Sequence, residues 1–141
     1  MINRSTVGKV ARTSESGSAL IEVAVVLPIL LVLTMGIMDF GRAFHAKSII
    51  DQAAREGCRL AVVTAPDAAL VTSRVGSVLS AGGLTPGSVT VVGPDVSRMV
   101  TVTVTSTFTF ATPGVFALIG ASYGNTLAMT GRATMRFESG S

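Results

Sequence analysis

The stretch SALIEVAVVLPILLVLTMGIM, at residues 18–38, constrains every other part of the chain. Its only charged residue is Glu22, and an α-helix of this length is about 30 Å long, the thickness of a bilayer's hydrocarbon core. Residues 1–17 are polar and basic, which predicts a disordered leader and, by the positive-inside rule, a cytoplasmic N-terminus. We therefore predict a single-pass membrane helix at residues 18–38.

A cleavable secretory signal peptide is the first alternative for this stretch. The stretch is longer than the roughly 7–15 apolar residues of such signals. An ordinary signal peptidase site around Ala43 or Ala46 would also fall inside the helix predicted below. A secreted binding domain that starts near residue 47 remains an alternative on this reasoning.

Helical patterning continues beyond the membrane. Residues 39–63 contain no proline, and small and apolar side chains recur there at helical spacing. These positions are Ala43, Ala46, Ile50, Ala53, Gly57 and Leu60. We predict that residues 39–65 continue the membrane helix. Pro66 interrupts it, Asp67 caps a second helix to about residue 80, and glycines 82 and 83 end that helix.

Strand patterns occupy the last third of the chain. Residues 99–110 largely alternate valine or phenylalanine with threonine. Residues 127–137 alternate apolar with mostly polar side chains, and residues 88–92 form a shorter run. Each pattern indicates a β-strand. Residues 112–125 predict a loop with a helical turn at 115–119. The predicted fold class is α+β, with a three-stranded antiparallel sheet whose apolar face is covered by the two helices. Residues 66–141 would form a small α+β domain.

Composition argues against several functional classes. Charged residues are 13% of the chain and the net charge is +3, without the basic face and stacking aromatics of a nucleic-acid surface. One cysteine and one histidine cannot supply a usual zinc site. Neither a nucleophile elbow nor a phosphate-binding loop is present. We expect no enzyme activity, cofactor, metal site, nucleic acid or small-molecule substrate.

Glu22 is the most informative residue because a carboxylate in a membrane span is costly. Its simplest interpretation is a side chain that snorkels to the interface. However, the string Gly17-Ser18-Ala19-Leu20-Ile21-Glu22 after a basic leader resembles the processing site of type IV prepilins and pseudopilins. The resemblance implies cleavage after Gly17 by a membrane aspartyl peptidase, which makes Glu22 the fifth residue of the mature chain. Glu22 could then neutralise the new amino group on Ser18 of a neighbouring subunit.

A longer resemblance covers about a third of the chain. Its matching parts are Glu22, Leu27-Pro28, Gly36, the string DFGR at 39–42 and the string AAREGCR at 53–59. Together they resemble the N-terminal region of TadE-like pseudopilins of tight-adherence (Flp-type IVb) pilus systems. Val23 replaces the tyrosine that follows the glutamate in major pilins, and a folded domain follows the helix. Both departures favour a minor pseudopilin.

The resemblance implies a location and partners. The protein would be a single-pass protein of the bacterial inner membrane with a periplasmic C-terminal domain, or part of an extracellular pilus. Its partners would be the prepilin peptidase, other pilins or pseudopilins, and pilus assembly or secretion proteins. The alternative is an unprocessed single-span anchor or scaffold of an envelope complex, with a periplasmic interaction domain.

Several other residues have competing interpretations. Pro28 removes a helix hydrogen bond and should kink the span, either as a tolerated proline or as a flexible point for assembly. Asp39 and Arg42 are interpreted as a solvated ion pair where the helix leaves the membrane. Cys58 is interpreted as a small buried residue. The apolar side chains of Phe40, Phe44 and Ile49 would pack in the domain or against another subunit.

Overall fold

The computed structural model describes residues 13–64, 67–111 and 124–137. Helix α1 (Thr13–Val63) and helix α2 (Ala68–Ala81) come first, and strands β1 (Val89–Val92), β2 (Met99–Thr109) and β3 (Thr126–Arg136) follow. The strands form one antiparallel sheet in the order β1-β2-β3. This arrangement confirms the predicted α+β fold class. The loop and helical turn predicted within 112–125 lie almost wholly outside the described residues.

Helix α1 begins earlier than the sequence suggested. It starts at Thr13, so residues 13–17 are helical and the prediction of a disordered leader is wrong for this part. Extending an existing helix fixes one residue per hydrogen bond, whereas starting a helix fixes three. The long apolar helix therefore propagates backward into polar sequence at little cost.

The chain divides into two compact units, Met1–Ile37 and Met38–Ser141. In the second unit, one side of α1 and one side of α2 contribute buried side chains to the same core as β2. The members fully excluded from solvent include Ala53, Ala54, Cys58 and Ala61 of α1, Val71, Val75 and Leu79 of α2, and Val100, Val102 and Val104 of β2. The alternation in β2 thus gives the sheet its buried face, as predicted.

Two glycines permit the close packing of this unit. A Cβ atom on Gly57 would lie 2.7 Å from Val75 Cγ2, where α1 meets α2. A Cβ atom on Gly131 would lie 2.8 Å from the carbonyl oxygen of Ile50, where β3 meets α1. Both positions are buried, so the helices approach their neighbours at distances that a larger residue would prevent.

Helix α2 has the ends that its sequence predicts. The Asp67 carboxylate accepts hydrogen bonds from the backbone N–H groups of Ala69 (2.9 Å) and Leu70 (3.4 Å). These bonds satisfy donors that have no partner inside the helix. At the other end, Gly82 is the C-cap and Gly83 has a φ of +72°, a conformation that glycine adopts at little cost.

Candidate functional site

The residues predicted to carry processing and assembly lie on the N-terminal part of α1. Gly17, Ser18 and Glu22 are all exposed, and Ser18 and Glu22 are one helical turn apart. A Cβ atom on Gly17 would have nothing within 4 Å. Among the described residues, Glu22 forms no ion pair. The carboxylate is thus available to a group supplied by another chain.

The apolar part of α1 has the character of a membrane span. It is long and apolar enough to cross a bilayer, and none of its most apolar stretch is buried. Large side chains such as Leu20, Ile29 and Leu33 are 60–70% exposed. Apolar exposure on this scale is unusual for a surface in water and is ordinary for a surface in lipid.

Pro28 lies inside α1, which is continuous through it. The proline cannot donate to the carbonyl of Ala24, so one helix hydrogen bond is absent at this point. Six residues further on, the Thr34 hydroxyl donates to the carbonyl of Leu30 (2.8 Å). The predicted kink remains a prediction.

The Asp39–Arg42 pair differs from its sequence-based interpretation. Arg42 Nη1 donates to Asp39 Oδ1 at 3.0 Å, but Asp39 is only 4% exposed. The same oxygen accepts the backbone N–H of Ala111 (3.2 Å) just after β2, and the Arg42 guanidinium lies 5.6 Å from the centroid of the Phe108 ring. The prediction of a solvated pair is therefore wrong for Asp39. This carboxylate joins α1 to the end of β2.

The sequence did contain a signal for this burial. Asp39 lies seven residues before Ala46, which is followed by Ile50, Ala53 and Gly57 at helical spacing, and all four are buried. Two helical turns place Asp39 on the same side of α1 as these residues. The charge of Asp39 suggested that its side chain faces solvent, whereas its position in the helical repeat indicated that the side chain faces the core.

Cys58 is buried as expected, with no exposed surface. Its Sγ atom lies 3.3 Å from the carbonyl oxygen of Val100 and can donate a weak hydrogen bond to it. Burial raises the pKa of the Cys58 thiol, and nearby backbone hydrogen bonds oppose this only in part. The thiol is therefore protonated at neutral pH and shielded from partners or oxidants.

The three apolar residues that follow the predicted membrane span, Phe40, Phe44 and Ile49, differ in burial. Ile49 is half-buried and lies close to Gly82, so it packs in the domain as predicted. Phe40 and Phe44 are 65% and 64% exposed and contact each other edge to face, with ring centroids 4.9 Å apart. The prediction that these side chains pack inside the domain is thus wrong for Phe40 and Phe44.

An open groove of about 460 Å³ lies beside the first turns of α1 in the second unit. Its lining is mostly apolar and includes Met38, His45, Ile49, Leu84 and Phe108. Arg42, which also lines the groove, is paired with Asp39. Across residues 13–64, 67–111 and 124–137, no group of three or more histidine, cysteine or acidic side chains is placed to hold a metal ion.

Comparisons with known proteins concern the N-terminal part of the chain. A family model described as TadE-like protein matches residues 17–59. The predicted resemblance to TadE-like proteins of tight-adherence pili is confirmed over this segment, which runs from the proposed cleavage site to the part of α1 packed on the sheet. The match associates the chain with a tight-adherence pilus system. Neither the curated proteins nor the solved structures include a match.

Proposed function

We propose that the chain is a minor pseudopilin-like component of a tight-adherence (Flp/type IVb) pilus assembly or secretion system. In this proposal it enters the bacterial inner membrane with its N-terminus in the cytoplasm and its α+β unit in the periplasm. A prepilin peptidase cuts after Gly17, and the mature chain then joins other pilins by helix packing. The proposal assigns no catalytic chemistry to the chain.

The observation that carries the proposal is the position of the family match. It begins at residue 17, immediately before the bond that the peptidase would cut. Glu22 lies one helical turn after Ser18 on an exposed apolar helix. It forms no ion pair among the described residues. An unpaired carboxylate in lipid is unfavourable, so a cation from a neighbouring chain would stabilise it. The new amino group on Ser18 is such a cation.

Processing can be tested on the full chain in bacterial membranes, with and without a co-expressed prepilin peptidase. Intact-mass spectrometry should show a product that begins at Ser18 only when the peptidase is present. Gly17→Ala should abolish this product. Gly36→Ala is the matched control, because a Cβ at either glycine meets nothing within 4 Å, and this variant should be processed normally.

The same experiment separates the proposal from an unprocessed single-span anchor. An anchor would keep residues 1–17 with the peptidase present and would still assemble with its partners. A product that begins near residue 47, found in the soluble fraction, would instead indicate ordinary signal peptidase. Either result would contradict the pseudopilin assignment.

A further inference from the structure

The first charged residue after an apolar span usually marks the point where the chain enters water. In this chain that residue is Asp39. Its carboxylate does not face water, because it is 4% exposed and accepts hydrogen bonds from Arg42 and the backbone of Ala111. Asp39 is satisfied within the folded unit and gives no information about where the surrounding lipid ends.

The outward side of α1 in the second unit shows where polarity begins. The exposed residues that follow one another along this side at helical spacing are Phe40, Phe44, Ser48, Gln52, Arg55 and Arg59. The first two are phenylalanines about two-thirds exposed, and the other four are polar or charged. On this side of α1, the exposed surface therefore changes from apolar to polar between Phe44 and Ser48.

We propose that Phe40 and Phe44 contact lipid in the outer boundary of the bilayer, so that the membrane-contacting surface reaches Phe44 and does not end at Met38. The inference rests on the proposed membrane anchoring. Six residues of helix separate Met38 from Phe44, about 9 Å at 1.5 Å per residue. The polar interfacial region on each side of the hydrocarbon core is about 5–8 Å thick. Phe40 and Phe44 would thus lie within or at the edge of this layer.

The area of the two rings and their continuity with the apolar span favour lipid over a second copy of the chain as the occupant of this surface. A phenylalanine can bury at most about 150–250 Å², so two of them provide about 300–500 Å². A stable protein interface buries about 800 Å² on each partner. After Phe44 the positions on the same side are polar. Before Phe40 the exposed apolar side chains, such as Met38 and Ile37 (both 66%), belong to or adjoin the span that the proposed anchoring places in lipid, so no separate apolar patch of that size is left for a second copy. A lipid boundary has no minimum area and accepts single aromatic side chains.

Tryptophan fluorescence can test this contact, because the natural chain contains no tryptophan. Three single variants of the full chain, Phe44→Trp, Leu30→Trp and Gln52→Trp, would be reconstituted in phosphatidylcholine vesicles. The lipids would carry bromine atoms near the glycerol backbone or deep in the acyl chain, since bromine quenches indole emission at short range. All three positions are exposed, so the substitutions leave the core intact, and circular dichroism would verify this.

We expect Phe44→Trp to emit at shorter wavelength than Gln52→Trp. Shallow bromine should quench it several-fold more strongly than it quenches Gln52→Trp. Leu30→Trp should respond best to deep bromine. If Phe44→Trp behaves like Gln52→Trp while Leu30→Trp is quenched, lipid contact at Phe44 is wrong and anchoring stands. If none of the three is quenched, the membrane anchoring fails as well.

A third result would also overturn the inference. A blue-shifted Phe44→Trp emission that neither lipid quenches would mean that protein covers the ring. The cover would be a second copy of the chain. Phe40→Trp provides an independent check, since it lies on the same side of α1 one turn closer to the apolar span.

Discussion

Asp39 shows how one buried carboxylate can hold two elements together. It joins Arg42 on its own helix to the backbone N–H of Ala111 after β2. Asp39→Ala should destabilise the folded unit by about 1–3 kcal/mol, because the part-buried Ala111 N–H loses a charged acceptor and Arg42 loses its partner. Chemical unfolding of the full chain in detergent micelles would measure this loss.

Asp39→Asn is the matched variant, because it keeps a side-chain oxygen for the Ala111 N–H but removes the charge that pairs with Arg42. It should cost less than Asp39→Ala, since the Arg42 side chain is about half exposed and solvent screens the pair. If Asp39→Ala stayed within about 0.5 kcal/mol of the natural chain, the effect of a neutral surface substitution, the link between α1 and β2 would contribute nothing to stability.

Cys58 predicts a pH dependence of stability. Burial raises the thiol pKa above the ordinary value of 9.0, so the unfolded chain loses this proton at a lower pH than the folded chain. The contribution of Cys58 is therefore fully present below about pH 9 and falls as the pH rises toward the folded-state pKa. Unfolding measured between pH 7 and 10 should show this decline.

Cys58→Ala is the control for this titration, because alanine is small enough for the site and carries no proton. The variant should be somewhat less stable at neutral pH through the lost packing, but its stability should decline less steeply above about pH 9. Equal slopes for the two proteins would assign the alkaline loss to other groups.

At the scale of elements, the sequence predicted the fold well because each element carries a regular pattern. The alternation at residues 99–110 corresponds to β2, and the Asp67 cap and the paired glycines bound α2 within a residue or two. These signals are local, so neighbouring residues suffice to detect them.

Two features escaped sequence reasoning because they depend on contacts between distant residues. Helical phase indicated that Asp39 is buried, but its hydrogen bond comes from Ala111, 72 positions along the chain. Gly131 lies against the backbone of Ile50, which is distant in sequence, in the strand β3 that pairs with β2. A local pattern shows neither contact. The processing and assembly roles of Gly17 and Glu22 came from resemblance, and they remain predictions.

The approach of β3 to α1 can be tested with a pair of glycine substitutions. Gly131→Ala should destabilise the unit by about 1–3 kcal/mol, because the new Cβ would meet the backbone oxygen of Ile50 and a backbone cannot move aside cheaply. Gly76→Ala, in α2, meets nothing within 4 Å and should stabilise by about 0.5–1 kcal/mol. Thermal unfolding in micelles should show shifts of opposite sign, and a neutral Gly131→Ala would mean that α1 and β3 pack less closely than described.

At the scale of the whole molecule, the two ends of α1 have different surroundings. Beyond Met38, one side of the helix is buried against α2 and the sheet, so its position is set by this chain's own residues. Before Met38, its apolar side chains and Glu22 are exposed. In the proposed function this exposed part is where lipid, and later other pilins, contact the chain. Substitutions there should affect assembly with little effect on folding.

Glu22 gives the sharpest test of that separation. Glu22→Gln keeps the shape and polarity of the side chain but removes the charge that would pair with the amino group on Ser18 of a neighbour. A charge left unpaired in a membrane span costs about 2.5–3.5 kcal/mol at the helix centre, and every 1.4 kcal/mol changes an equilibrium tenfold. In the Glu22→Gln variant it is the neighbour's amino group that is left unpaired. Glu22 lies near the end of the apolar stretch, where the cost is smaller than at the centre. We therefore expect about 10–100-fold less co-purification with partner pilins, while cleavage after Gly17 and membrane insertion continue.

Glu56→Gln is the control for charge removal on the same helix. Glu56 lies in the folded unit and pairs with Arg74 at 3.4 Å, where both side chains are partly exposed, so the pair contributes little and assembly should be unchanged. If Glu22→Gln assembled as well as Glu56→Gln, charge pairing would not drive association, although processing after Gly17 could still hold. If Glu22→Gln also failed to insert or to be cleaved, the carboxylate would act before assembly, in recognition by the peptidase.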